Sequence, residues 1–142
     1  MRAQVLLDTG PLVALLNRRD RDHRWAVETL SKLPPPALVS EPVLAEACFL
    51  LRNLPGGVTA PLALLETGAV KVGLRVEGEV EALRKLMEKY RDVPMSLADA
   101  TLVRLAELNP DATVVTLDSD FLTYRAHRRK ALRVLMPDRV RR

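Results

Sequence analysis

Apolar and polar positions fall along this chain in blocks whose period changes from one block to the next. Val5-Leu6-Leu7 is a short apolar run that stops abruptly at Asp8. Thr9-Gly10-Pro11-Leu12 follows, and a second apolar pattern begins. The pattern predicts a buried strand, a tight turn, and a helix over about 11–16 whose first turn is preset by the fixed φ of Pro11. A charged loop then leads to a second helix with Trp25, Val27, Leu30 and Leu33 as its apolar stripe, stopped by Pro34-Pro35-Pro36. Residues 37–39 read as a strand, and Ser40 ahead of Pro42 reads as the N-cap of a third helix over about 42–54. Val43, Ala47, Leu50 and Leu54 form its stripe, with Leu44 and Leu51 beside it. Pro55-Gly56-Gly57 breaks that helix, and a further piece over about 61–66 makes a helical hairpin with it.

The second half repeats the alternation. Residues 70–74 read as a strand. An amphipathic helix over 77–89 turns Val80, Leu83, Leu86 and Met87 inward and pairs Glu81 with Lys85 four residues on. Ser96 caps a helix over 97–107 that Asn109-Pro110 closes, and residues 113–117 are the near-continuous apolar run of a parallel strand covered on both faces. Residues 131–135 read as a final edge strand. Strands alternating with helices predict an α/β, three-layer α/β/α fold around a central, mostly parallel sheet of about four to five strands. No repeat, linker or low-complexity stretch divides the chain, so residues 1–142 read as a single domain.

Composition narrows the chemistry. Hydrophobic residues are 48% and charged residues 28% of the 142, an ordinary globular balance. No apolar stretch approaches the roughly 20 residues that cross a bilayer, and the run after Arg2 is broken at once by Asp8, unlike a signal peptide. The expectation is a cytoplasmic protein with no membrane partner. Cys48 is the single cysteine, and the two histidines, His23 and His127, lie far apart in sequence. A disulfide within the chain is excluded and a zinc–thiolate site has one thiolate at most. Any metal must be held by carboxylates, which selects a hard cation, Mg²⁺ or Mn²⁺. Residues 124–142 carry eight Arg or Lys against the single acid Asp138. On a chain of net charge +4 this leaves the first 123 residues slightly acidic. A basic segment on such a body points to a polyanion or an acidic partner, or else to a solubilising tail.

Four acidic positions are candidates for one site, and each has a structural reading beside the functional one. Asp8 ends a buried strand, where open α/β sheets keep their ligand crevice, yet it could equally cap the following helix. Asp99 stands three residues after Ser96, as in a capping box. It also shares a helix stripe with Leu102, Val103 and Ala106, where an inward carboxylate needs compensation. Glu46 sits mid-helix beside the apolar stripe. Asp118 and Asp120 follow a buried strand directly, as turn residues or as ligands. In this sheet the strand over 113–117 lies beside the opening strand and brings Asp118 near Asp8. Carboxylates crowded in one crevice raise one another's pKa unless a cation neutralises them, and a divalent cation so held activates water against a phosphoryl group.

The ordered set Leu7-Asp8-Thr9-Gly10-Pro11-Leu12, Pro42-Val43-Leu44-Ala45-Glu46, Ser96-Leu97-Ala98-Asp99-Ala100 and Thr116-Leu117-Asp118-Ser119-Asp120-Phe121 resembles the PIN-domain ribonucleases, above all the VapC-type toxins of toxin–antitoxin pairs. The likeness spans nearly the whole chain. It implies that Asp8, Glu46, Asp99 and Asp118 are catalytic and bind metal, with Asp120 replacing or assisting Asp118. Thr9, Ser96 and Thr116 are implied as hydroxyls that orient carboxylates or water. Mg²⁺ or Mn²⁺, an RNA substrate, a cognate antitoxin and a homodimer through the hairpin at about 42–66 are implied likewise. The loop after Asn17 is unusually rich in arginine, and Arg18, Arg19, Arg21 and Arg24, with the basic segment, are expected to contact RNA phosphates. Two other classes stay open. A non-catalytic RNA- or antitoxin-binding module would keep the same fold without turnover, and titrating Mn²⁺ and EDTA against a labelled RNA separates it from the nuclease. A small-molecule phosphohydrolase would want a second acid where Gly10 stands.

Overall fold

The computed structural model describes residues 4–141, so residues 1–3 and Arg142 of the basic segment lie outside the description. Five three- and two-residue strands form one parallel sheet: β1 (Val5–Leu7), β2 (Ala37–Val39), β3 (Val70–Val72), β4 (Thr113–Val115) and, at its edge, Val134–Leu135. Their spatial order is β3-β2-β1-β4 followed by the edge strand. Leu6 pairs with Leu38 on one side and with Val114 on the other. The neighbour expected for the opening strand, the strand at 113–117, is therefore observed on one side, with β2 on the other. Leu6, Leu7, Val39, Val114 and Val115 are almost fully buried, which is why the strands read as continuous apolar runs rather than alternating ones.

Connections that all run toward β3 place α1 (Thr9–Leu16), α2 (His23–Ser31), α3 (Glu41–Leu50) and α4 (Ala60–Thr67) on one face. The return from β3 to β4 places α5 (Val80–Lys89) and α6 (Leu97–Leu108) on the other, as right-handed crossovers require. The strand order reverses between β1 and β4. That switch point opens a crevice at the carboxyl ends of these two strands. Gly73, just past β3, lets α6 seat closely, since a Cβ there would stand 2.8 Å from the Leu105 side chain. A buried hydrogen bond of 2.7 Å between the Ser40 and Thr101 hydroxyls ties the start of α3 to α6.

Several sequence expectations are corrected. The third helix ends at Leu50 rather than near 54, where the Arg52 guanidinium caps the Phe49 carbonyl at 2.7 Å. In consequence Leu51 is buried and Leu50 is 52% exposed, the reverse of the expected stripe. In α2 only Ala26 is buried and Val27 is exposed, because α1 takes the place against the sheet. The helix expected over 77–89 opens with a 3₁₀ turn, Val76–Glu79, and leaves Val80 exposed. The expected edge strand over 131–135 is two pieces. β5 (Arg125–Ala126) and β6 (Lys130–Ala131) form a separate antiparallel hairpin, and only β7, the Val134–Leu135 strand, joins the sheet beside β4. No helix among the described residues is long and apolar enough to cross a membrane.

A clasp closes the chain on itself. The short helix α7 (Asp138–Arg141) presents Arg139, whose Nε donates to Asp22 Oδ1 at 3.2 Å and whose second nitrogen donates to Oδ2. Asp22 is 7% exposed, so the fork-to-fork geometry compensates a carboxylate that water barely reaches. Removing one partner of such a pair leaves the other charge uncompensated. Arg139→Ala is expected to lower stability by about 1–2 kcal/mol and the melting temperature by roughly 5 °C in calorimetry. An unchanged melting temperature would show that the clasp contributes nothing.

Candidate metal centre at the switch point

Asp8 follows β1 directly and is the N-cap of α1. Its N–H donates to the Val115 carbonyl at 3.1 Å, and its side chain turns into the crevice. The carboxylate accepts the Thr9 N–H at 2.8 Å and the Thr116 hydroxyl at 2.6 Å. Both readings of Asp8 hold, since it caps α1 and lines the cleft. Thr116, fully buried beyond the end of β4, also accepts the Asp118 N–H at 3.0 Å. One hydroxyl thus fixes two acidic positions, the carboxylate of one and the backbone of the other. The Asp118 side chain in turn accepts the Asp120 N–H at 2.9 Å in a turn of the Asx type.

Asp99 reaches the same cleft from α6. It makes a reciprocal capping box with Ser96, the Asp99 N–H donating to Oγ at 3.0 Å and the Ser96 N–H to Oδ2 at 3.4 Å. The Tyr124 hydroxyl donates to the same Oδ2 at 3.0 Å. Tyr124 is completely buried and packs edge-on against both Tyr90 and Phe121, with ring centroids about 5 Å apart. Sequence reasoning missed Tyr124, and its only signal was an aromatic four residues past Asp120 in an aromatic-poor chain. Glu46 enters from α3 with its side chain exposed. The cleft is lined by Asp8, Thr9, Glu46, Ser96, Asp99 and Asp118, with Leu50 as an apolar wall.

The electrostatics follow from this crowding. Burial pushes Asp8 up to about 7, the fields of Asp99 and Asp118 add to the rise, and the hydrogen bonds from Thr116 and Thr9 oppose it. Asp99 is raised by burial and by Asp118, against its bonds from Tyr124 and Ser96. Glu46 is raised by partial burial and then by Asp99. Asp120 is raised by burial, then by Asp118 and Asp99. Asp8, Glu46, Asp99 and Asp120 therefore each feel a neighbouring acid's charge, although no three His, Cys, Asp or Glu side chains among the described residues are gathered tightly enough to hold one ion as they stand.

Asp118 lines the cleft and Asp120 does not, standing within its electrostatic reach. The Thr9 hydroxyl orients no carboxylate. It is buried and unpartnered, and the contact with Asp8 comes from the Thr9 backbone. The Ser96 hydroxyl accepts from the α6 backbone, and its backbone N–H is what reaches Asp99. Arg18, Arg19, Arg21 and Arg24 are exposed and line no part of the cleft, since the eight residues of α1 carry the chain about 12 Å from Asp8 before they begin.

A sequence model of the PIN domain matches residues 5–126. Ribonuclease VapC26 of Mycobacterium tuberculosis (strain ATCC 25618 / H37Rv) is 31% identical over 117 residues, which is 80% of this chain and 86% of that protein. Among solved structures, VapC20 of Mycobacterium tuberculosis, a sarcin–ricin loop cleaving toxin, superimposes with a TM-score of 0.68 at 24% identity, covering 78% of this chain and 87% of the other. VapBC2 of Rickettsia felis, solved bound to a DNA fragment from its promoter, gives 0.61 at 16% identity over 94% and 98% of the two chains. FitAcB of Neisseria gonorrhoeae gives 0.52 at 20% identity over 82% and 88%. Likeness at these identities supports the three-layer fold.

The rise of Asp8 has a consequence for stability. The folded protein holds this proton more tightly than the unfolded chain, where the group titrates near 3.8. The stability from this group is complete below that value and is lost as pH climbs through 7, at about 1.4 kcal/mol per unit. Asp8→Asn is isosteric with the protonated acid and removes the dependence. Without added divalent cation, denaturant midpoints should place Asp8→Asn above the parent by only about 1.6 kcal/mol at pH 5 and by about 4 kcal/mol at pH 8. A difference that does not change with pH would contradict the burial of Asp8 in its charged form.

Proposed function

Because the chain belongs to the PIN-domain family, we propose that its acidic cleft is the active site of a divalent-metal-dependent endoribonuclease, the toxin half of a toxin–antitoxin pair. The observation that carries this reading is the arrival of Asp8, Asp99, Asp118 and Glu46, from four different elements, at one crevice at the topological switch point. Family membership and the 31% identity to a VapC ribonuclease supply the substrate class. The VapBC and FitAcB likenesses support a cognate antitoxin as partner.

The donor set fits a hard cation such as Mg²⁺ or Mn²⁺. It consists of carboxylate oxygens with a buried, unpartnered Thr9 hydroxyl beside them, and neither histidine nor the cysteine lines the cleft. Asp8, Glu46, Asp99 and Asp118 would hold the ion, with Asp120 supporting Asp118. Such an ion, when bound, lowers the pKa of water and offsets charge on a phosphoryl oxygen. The chain's own groups do the positioning. Thr116 holds Asp8 and the Asp118 backbone, and Tyr124 and Ser96 hold Asp99. Hydrolysis of the P–O3′ bond by water leaves a 5′-phosphate and a 3′-hydroxyl. Arg18, Arg19, Arg21 and Arg24 contact phosphates farther along the strand and carry no sequence information. We place this activity in the cytoplasm.

The exposed apolar side chains of the α3–α4 hairpin, Phe49, Leu50, Val58 and Leu62, are each about half accessible and lie on elements that touch one another. We assign this face to a second copy of the chain. Leu50 belongs to both the face and the cleft, so dimerisation would wall the active site.

Two outcomes test the proposal. Asp8→Asn and Asp99→Asn are expected to abolish cleavage of labelled RNA in Mn²⁺ and to remove the Mn²⁺-binding heat in calorimetry while keeping the circular dichroism spectrum. EDTA should stop the parent enzyme. Cleavage that persists in EDTA or in either variant refutes the metal centre, and RNA binding without cleavage favours the non-catalytic module. Separately, Leu62→Glu should convert a dimer to a monomer in light scattering. A parent protein that is monomeric at micromolar concentration overturns the dimer.

A further inference from the structure

The basic segment is not a tail. Its first part is the β5–β6 hairpin, and the backbone at the hairpin tip is strained. His127 has φ of 48° and Arg128 a φ of 74°, two successive non-glycine residues in the left-handed region. Tight hairpins that need this conformation ordinarily use Asn-Gly or Gly-Gly, because a side chain there costs about 1–2 kcal/mol per residue. This chain places a histidine and an arginine there instead, and their surroundings hold them in place. The Glu107 carboxylate accepts the His127 N–H at 2.7 Å while its other oxygen takes Arg104 at 3.1 Å. The His127 ring meets the Glu107 carbonyl at 3.2 Å, and Lys89 Nζ donates to the Arg128 carbonyl at 3.0 Å. Strain that neighbouring structure imposes this firmly marks a place where side chains must be presented in one direction.

What the tip presents is positive charge. Arg128, Arg129 and Lys130 are exposed, and none is in an ion pair among the described residues. The nearby acids are already engaged: Glu79 and Glu107 with Arg104, and Glu81 with Lys85. Between the hairpin and α5 runs a groove with Lys85, Lys89, Arg104 and Arg128 on its walls. No large apolar side chain is exposed from 125 to 131, so the hairpin lacks the apolar centre that a protein partner would bury. Phosphates require only the cations.

The hairpin also starts at the active site. Tyr124 touches Asp99, and the next residue, Arg125, opens β5 with its N–H on the Tyr90 hydroxyl at 2.9 Å. Glu107, which holds the tip, lies eight residues along α6 from Asp99, about 12 Å. We propose that the β5–β6 hairpin is a phosphate-gripping finger that holds the RNA strand flanking the scissile bond, through Arg128, Arg129 and Lys130. The nature of the ligand rests on the ribonuclease reading above. The geometry of the finger does not.

The test uses Arg128→Gly/Arg129→Ala in the full chain. Glycine takes a φ of 74° without strain, so this variant removes charge while relaxing the fold, and its melting temperature should not fall. Binding to a fluorescent 20-nucleotide RNA in EDTA needs no cleavage. We expect affinity at 0.1 M salt to drop about tenfold or more, and the slope of log K against log salt to shrink by about 1.4, as for two lost single-strand phosphate contacts. In Mn²⁺, KM for that RNA should rise while kcat on a trinucleotide spanning only the scissile bond stays put. Parent-like RNA affinity and salt slope in the variant overturn the finger and leave the nuclease reading standing. Finger-dependent binding in a protein that never cleaves upholds the finger and removes the nuclease reading. Unchanged RNA binding with lost affinity for an acidic peptide overturns the finger by assigning the tip to a protein partner.

Discussion

The hydrogen bond from the Thr116 hydroxyl to the Asp8 carboxylate, 2.6 Å long, is the interaction on which the rest of the site depends. It joins the ends of the two central strands, β1 and β4, just where the sheet reverses its order. The same oxygen receives the Asp118 N–H, so the second acid takes its position from the first. The buried strands deliver the acids to the crevice, and the helices bring Glu46 and Asp99 against them. The Ser40–Thr101 bond keeps the two helices in register with each other. Without Thr116 the acids would still sit on their elements, but the tie between Asp8 and Asp118 would be lost.

Such an arrangement is costly in the unliganded protein. A carboxylate as buried as Asp8 stays charged only with compensation, and its neighbours Asp99 and Asp118 work against it. The hydrogen bonds from Thr116, Thr9, Tyr124 and Ser96 offset part of the repulsion. The strength elsewhere is ordinary: a sheet of almost fully buried aliphatics, an aromatic trio under Asp99, and the Asp22–Arg139 clasp. Instability is concentrated where a cation would reverse the sign of the local energy, a common arrangement in sites built for function.

Most of the fold was legible because buried parallel strands and amphipathic helices leave strong periodic patterns. Val5–Leu7, Ala37–Val39 and the run at Thr113 all proved to be central strands. The acidic quartet was legible for a related reason: each acid interrupts an apolar pattern, and Asp99 satisfies a capping box and the cleft at once. Features made by distant partners were not legible. Nothing local marks Tyr124 as a donor to Asp99, or Asp22 as the partner of a residue 117 positions later. The hairpin at 125–131 was hidden because its turn uses His and Arg where turn chemistry favours Asn and Gly, and only Glu107 and Lys89 make that backbone tolerable. Leu50 and Leu51 exchanged roles because a helix end, the least legible part of any helix, moved by a few residues.

The order in which the site residues occur along the chain has a consequence of its own. Asp8 is made almost first, yet the hydroxyl that orients it is residue 116, the donor to Asp99 is residue 124, and the clasp on Asp22 is residue 139. β1 remains an edge strand until β4 arrives to cover its other side. A growing chain therefore carries Asp8, Glu46 and Asp99 without a common centre until residues 113–124 have been added and have folded back onto β1. The order of assembly keeps Asp8 and Glu46 without their partners until β4 has docked beside β1.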